Sequence, residues 1–293
     1  MGFLSNLVNG ISLGSVYAII ALGYTMVYGI AKMLNFAHGD VIMVGGYLSF
    51  ISIVYLGLHP LFAVLIAVCG CTLLGILIER LAYKPLREAS SLNVLITAIG
   101  VSYLLQNLAL LIWKSDPKVY PSVIQAEPLR LFGGQLIISP VSIVTVLVNI
   151  LIMVGLTLFT TRTKMGKAMR ACSEDKGAAQ LMGIDVDKTI SLTFAIGSGL
   201  AAIAGVLLCS AYPTLMPTTG AMPGIKAFTA AVVGGIGSIP GALLGGLLLG
   251  VAEIFAKAYI STQFSDAIVF AVLIVVLLVR PSGLLGKPMN VKV

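Results

Sequence analysis

Charge is what this sequence has least of. Only 10% of its 293 residues are Asp, Glu, Lys or Arg, against roughly 25% in an average soluble domain. A water-soluble globule of this length could not cover its surface with so few. Disorder is excluded too, because 58% of the residues are hydrophobic. Histidine is nearly missing: His38 and His59 are the two present. No His-x-x-Glu-His arrangement exists, so a metalloprotease site is absent, and no metal site or cofactor is expected. No phosphate loop of the Gly-x4-Gly-Lys-Ser/Thr type exists, so ATP hydrolysis by that route is excluded. The glycine run 234–241 is not a dinucleotide fingerprint, because Pro240 takes the third glycine position. The four cysteines (Cys69, Cys71, Cys172, Cys209) show no pairing pattern and read as small packing residues. No basic residue precedes Lys32. A cleaved signal peptide is therefore not expected, and the first apolar segment should remain in place.

What is present is a chain of mean hydropathy +1.06. The composition is that of an integral membrane protein, and the expected fold class is all-α, a polytopic transmembrane helical bundle. Apolar segments cover about 7–31, 41–58, 61–79, 92–112, 138–160, 190–212, 239–258 and 264–279. Each reaches, or nearly reaches, the ~20 residues a spanning helix needs. That predicts about eight spans in a single transmembrane domain over 1–293, with no room for a large soluble domain. A further stretch, 222–236, is short, contains Lys226 and is bracketed by Pro and Gly. It reads as a re-entrant or broken helix, which survives at membrane depth only when shielded from lipid.

The net charge of +7 reflects topology rather than nucleic-acid binding. Thirteen of the 18 Lys and Arg residues fall on one side of the predicted spans. By the positive-inside rule that side is cytoplasmic, which puts the N-terminus outside and the C-terminus inside. Trp113 and Tyr120 suit an interfacial belt, and 113–137 is the one long external segment. Gly237, Gly241 and Gly245 are spaced four apart, as are Gly246 and Gly250, and Gly10 and Gly14. That spacing sets glycines on one helix face and predicts close packing. Residues 17–46 and 200–235 share an outline of Ala-rich helix, polar break and apolar segment closing on a Gly pair. Such an outline suits an inverted repeat.

Asp40, Glu79, Glu253 and Asp266 are the acidic residues near apolar segments, all at or near segment ends. No proton relay through the bundle is expected, and Glu253 with Lys257 reads as an interfacial i,i+4 pair. Asn35, His38 and Asp40, around Gly39, form a polar break that either lines a pathway or is an ordinary capped loop. Thr97, Gln106, Asn107, Thr218 and Thr219 are candidate pathway residues or interhelical hydrogen-bond partners. The loop 162–189 is the most charged part of the chain. Lys164 to Ala179 predicts one short amphipathic helix with Gly183 as its stop, lying on the cytoplasmic surface and fit to be gripped by a soluble partner. A solvated loop that only fixes topology is the plain alternative.

Six stretches carry a resemblance: ALGYTMVYGI (21–30), NFAHGD (35–40), ERLAYKPLR (79–87), RACSEDKGAAQLMGI (170–184), AAVVGGIGSIPGALLGG (230–246) and RPSGLLG (280–286). Together they resemble the permease subunits of high-affinity branched-chain amino acid ABC importers, most nearly the shorter, H-type subunit. The resemblance implies a bacterial inner-membrane protein that translocates Leu, Ile and Val. It also implies a sister permease in a heterodimer, two cytoplasmic ATPases and a soluble substrate-binding protein as partners, with the lipid bilayer around it. Catalysis would belong to the ATPases. Ala178-Ala179-x-x-x-Gly183 is similar to the coupling signature of such permeases, with Met169, Arg170, Glu174 and Asp175 beside it. Gly177 stands where the signature has Glu. The same machine with urea or a short amide as cargo, a stand-alone channel or secondary carrier, and a membrane enzyme are the other readings.

Overall fold

The computed structural model describes residues 2–286 except Glu88, Phe132, Gly134 and Gln135. Lys287 and Lys292, counted above on the basic side, lie outside the described residues. Helices dominate. They are α1 (Gly2–Ala31), α2 (His38–Val54), α3 (Pro60–Ile78), α4 (Ser91–Trp113), α5 (Pro140–Arg162), α6 (Lys164–Glu174), α7 (Lys176–Leu181), α8 (Val186–Ala211), α9 (Ala221–Gly234), α10 (Ile239–Tyr259) and α11 (Ser265–Val279). Helix starts are capped where the sequence offers short polar groups: Ser90, Thr163, Asp175, Asp185 and Ser238 each accept a backbone N–H of the following turn.

Six of these helices are long and apolar enough to cross a membrane: α1, α3 with its extension to Leu86, α4, α5, α8 and α10. Three apolar helices are shorter, α2, α9 and α11, with 17, 14 and 15 residues. At 1.5 Å per residue the 14 residues of α9 reach about 21 Å, short of a ~30 Å hydrocarbon core. The order long helix, break, short helix and two further helices occurs twice, as α1–α4 and α8–α11. Side chains of α3, α4 and α5 such as Leu65, Leu73, Leu111 and Leu151 are exposed. Water is no solvent for such faces; lipid or another membrane chain is.

The chain forms two compact units. One contains residues 1–25, 124–154 and 226–293; the other contains 26–123 and 155–225. In the first, α1 crosses α10 glycine to glycine. A β-carbon on Gly14 would fall 2.8 Å from Leu247 Cα and 2.9 Å from the Gly246 carbonyl oxygen. Gly246 meets Ala18, Gly250 meets Gly14, and Gly245 meets the Ala230 carbonyl of α9. Gly241 abuts Gly234. Gly237 departs from the expected stripe. It lies in the turn before α10 with φ +94°, so its glycine is needed for backbone conformation, not for a helix face. The terminal RPSGLLG segment folds back onto α9, with Leu284 N–H on the Val233 carbonyl and Leu285 N–H on the Gly234 carbonyl, both at 2.9 Å.

In the second unit α2, α3 and α8 form the core. A β-carbon on Gly45 would lie 2.7 Å from Ala202 Cα, and Gly205 sits against the Ile42 carbonyl. After α3 the chain makes a π-turn (Glu79–Tyr83) and a 3-10 turn (Lys84–Leu86). Both ends of the π-turn, Glu79 and Tyr83, are buried. The segment 113–137 is not featureless. Strand β1 (Lys118–Val119) pairs antiparallel with β4 (Thr214–Leu215), while β2 (Leu129–Leu131) pairs with β3 (Leu136–Ile138) in the first unit. Neither Trp113 nor Tyr120 is a simple belt residue. Trp113 stacks on Tyr47 with ring centroids 4.2 Å apart. Tyr120 is buried, its hydroxyl 2.7 Å from Ser49 Oγ.

The glycine crossing is open to test. Gly14→Val should lower the thermal midpoint in detergent by several degrees, because backbone atoms of α10 must move. Gly100→Ala on α4, where a β-carbon meets nothing within 4 Å, should be neutral or gain up to about 1 kcal/mol. Equal midpoints for both variants would refute the crossing.

Candidate functional site

The polar break begins where α1 stops. Lys32 has φ +58°, a left-handed conformation that costs a non-glycine residue roughly 1–2 kcal/mol. Residues 32–35 then run without regular structure before α2 starts at His38. Gly39, central to the polar break read from the sequence, is inside the first turn of α2. Its missing side chain serves packing: a β-carbon there would lie 2.8 Å from the Gly220 carbonyl oxygen.

Asn35, His38 and Asp40 are all buried. The Tyr83 hydroxyl donates to Asn35 Oδ1 at 3.0 Å. Gln106 Nε2 of α4 donates to Asp40 Oδ1 at 2.9 Å. His38 N–H reaches the Asn35 carbonyl at 3.2 Å. Asn35 and Asp40 are thus each held by a residue of another element, and the His38 backbone bond is local to the break. The second break, 212–220, comes alongside through the Gly39–Gly220 contact. Thr219 Oγ1 accepts the Met216 N–H at 2.7 Å, and Thr218 is exposed. Asn107, expected as a partner between helices, bonds its own helix at the Tyr103 carbonyl (2.8 Å). Thr97 is half-buried on α4, nine residues and hence about 14 Å along the axis from Gln106. The structure gathers Asn35, His38, Asp40 and Gln106, sets 218–220 beside them and leaves Thr97 apart. Tyr83 is the member that residue chemistry alone did not single out, although it lies within ERLAYKPLR.

The 162–189 loop holds two helices, not one. Asp175 adopts an extended conformation (φ −153°), and its carboxylate accepts the Ala178 N–H at 3.0 Å. A side chain that caps a new helix start competes with continuing the old one, and here it wins. Helix α6 buries Gly166, Met169 and Cys172 and exposes Arg170 and Glu174. Helix α7 buries Ala179 and exposes Ala178. Gly183, at φ +81°, ends the element; its N–H bonds the Gln180 carbonyl, and Ile184 N–H bonds the Ala179 carbonyl, both at 3.0 Å. That is a glycine C-cap. Beside it stand Leu181 and Met182, 90% and 82% exposed. They are the most exposed large apolar side chains outside the spanning helices, and no periodicity in the sequence marks them.

The spans are less free of charge than the sequence suggests. Glu253, the fifteenth residue of α10, is buried and accepts three donors. These are Lys226 Nζ of α9 at 2.8 Å, Lys257 Nζ at 2.6 Å and the Tyr17 hydroxyl of α1 at 2.8 Å. Lys226 also pairs with Asp266 of α11 at 2.6 Å. The expected Glu253–Lys257 pair exists, but as one edge of a cluster joining four helices. In the other unit, Arg87 pairs with both Glu79 and Asp187. Lys84 reaches Asp187 at 2.7 Å, and Ser191 Oγ donates to Glu79 Oε2 at 2.5 Å. Sequence spacing could not reveal either cluster, because partners lie up to 236 positions apart. Among the described residues no group of three or more His, Cys, Asp or Glu could hold a metal ion.

Comparison with known proteins gives concordant results. Residues 6–277 match the family described as "Branched-chain amino acid transport system / permease component". The chain is 48% identical to the high-affinity branched-chain amino acid transport system permease protein BraD of Pseudomonas aeruginosa, covering 98% of this chain and 96% of that protein. It is 47% identical to the LivH protein of the same description from Salmonella typhimurium, with the same coverage. Among solved structures, PsaBC from Streptococcus pneumoniae in complex with Fab is similar in fold, at a TM-score of 0.50 and 15% identity, over 96% of this chain and 93% of that one.

The Lys226 cluster makes a quantitative expectation. Lys226→Met leaves Glu253 with one lysine fewer and Asp266 with no Lys226 partner. Breaking a buried pair in this way costs about 3–5 kcal/mol, so thermal unfolding in detergent should drop sharply. Lys188→Met, which removes an exposed i,i+3 pair with Asp185, should change the midpoint little, since such pairs contribute about 0–1 kcal/mol.

Proposed function

This chain belongs to the family of branched-chain amino acid transport system permease components, and from that premise we propose that it is one membrane-spanning half of an ATP-driven importer for leucine, isoleucine and valine. The family match over nearly the whole chain carries this reading. The importer comprises a sister permease, two cytoplasmic ATPases and a soluble protein that delivers the amino acid from outside the bacterial inner membrane. The permease itself is non-catalytic: with no phosphate loop, it leaves ATP hydrolysis to its partners. The N-terminus lies outside and the C-terminus in the cytoplasm, the side that holds most of the Lys and Arg.

In this reading α6 and α7 are the element on which an ATPase docks. Ala178 offers a small exposed surface, and Leu181 and Met182 offer two apolar anchors at its tip. Met169 and Ala179 face inward and hold the element to the bundle, while Arg170, Glu174 and Asp175 give it a polar rim. ATP-driven closure of the ATPases moves the element. The break at Asn35–Asp40 with Gln106, and the 218–220 turn beside it, line the path that opens to one side and then the other. Helix ends and unwound backbone suit that task, because they offer polar groups to a zwitterion where regular helices offer none.

Gly183 supplies the test. A β-carbon there meets nothing within the chain, so a large side chain collides with a docked partner and adds only the strain of a left-handed residue. With the complete importer in proteoliposomes, Gly183→Arg should reduce ATP-driven leucine uptake at least ~10-fold, the effect of roughly 1.4 kcal/mol, with membrane insertion retained. Intact uptake would refute the docking assignment. Uptake by the permeases alone, without ATP, would refute the importer.

A further inference from the structure

One contact crosses between the docking element and the pathway break. Lys176, the first residue of α7, donates its ammonium to the Ala31 carbonyl at 2.6 Å. Ala31 is the last residue of α1, where the final carbonyls have no partner within the helix and carry partial negative charge. The next residue is Lys32 in its left-handed conformation. We propose that Lys176 is a positioning residue that transmits movement of the docking element to the break at Asn35–Asp40. The proposal rests on the docking role given above to α6 and α7.

Lys176 sits where its surroundings disfavour it. Partial burial and the nearby charges of Arg87 and Lys32 hold its pKa below the usual lysine range. A lysine on a cytoplasmic loop can ordinarily extend into water. Here it turns back into a basic neighbourhood, and the bond to Ala31 is what compensates. A residue that breaks a local rule in this way marks a functional constraint more often than chance.

The other edge of the break is held separately. The Tyr83 hydroxyl binds Asn35 Oδ1 and lies 3.3 Å from the Leu34 carbonyl. Tyr83 belongs to the π-turn, whose first residue Glu79 is bonded to Arg87 and Ser191. Lys176 therefore grips the chain at Ala31, and Tyr83 grips it at Leu34–Asn35. Between them lie Lys32 and Met33, one of them strained. Displacement of Lys176 acts first on those residues and through them on Leu34 and Asn35, which lead into His38 and Asp40 at the start of α2. The inner element thus pulls on a hinge, not on the whole of α1.

The test uses the complete importer in proteoliposomes and reads leucine imported per ATP hydrolysed. Lys176→Gln should keep the ATPases co-purifying but lower that ratio ~10-fold, in line with loss of one charge-assisted hydrogen bond. Lys176→Arg, which keeps the cation, should restore it to within about twofold. Tyr83→Phe, which keeps the ring and so the fold, should lower the ratio by a smaller factor. An unchanged ratio in Lys176→Gln overturns the proposal. So does loss of ATPase co-purification in that variant, which would make Lys176 a docking residue. Equal defects in the Gln and Arg variants overturn it as well. Failure of the docking assignment itself registers elsewhere, as full uptake by Gly183→Arg.

Discussion

Backbone meeting backbone at glycine is the contact on which the rest of this structure depends. Inside a bilayer, apolar side chains gain nothing by leaving lipid for protein, so helices hold together by close packing and a few polar bonds. Here Gly14, Gly246 and Gly250 bring α1 onto α10, Gly45 and Gly205 bring α2 onto α8, and Gly39 meets Gly220. Each approach is closer than any side chain would permit. The outward faces of α3, α4 and α5 can then be largely apolar, because the side chains exposed on them are not needed to hold the interior.

Close packing also explains where polar groups can be afforded. Glu253 is tolerable inside α10 because Lys226, Lys257 and Tyr17 reach it over short distances. Asp40 is tolerable at the start of α2 because Gln106 reaches it. Desolvating a carboxylate costs several kcal/mol unless such partners are in place. The two arrangements differ in consequence. The Glu253 cluster ties four helices in one unit. The Asp40 and Asn35 contacts fix an interrupted segment in the other, at the place where a helix ends in a strained residue. The first is suited to holding and the second to bending.

The fold was largely legible in the residues, and so was the family. Every apolar segment read from the sequence is a helix, since length and hydropathy leave a membrane segment few other conformations. The 162–189 segment, proposed above as the docking element, was legible in part. Its charge, its alanines and Gly183 stand out, but the helix break at Asp175 does not, because capping a new helix and continuing the old one use the same residue type. Leu181 and Met182 were invisible, being two apolar residues in an apolar chain until their exposure is known. Gly237 was assigned to a helix face by spacing alone, and its positive φ assigns it to a turn.

By itself, the sequence determined that the chain is a membrane protein of helices and where along it the small and the basic residues lie. These follow from composition, period and spacing, which are local quantities. The tertiary structure decided which polar groups meet. Tyr83 with Asn35, Gln106 with Asp40, Lys176 with Ala31 and Lys226 with Glu253 are separated by 48, 66, 145 and 27 positions. No local rule links residues so far apart. Only folding supplies the low-dielectric interior in which an unpartnered polar group is too costly to keep, and so selects the pairs.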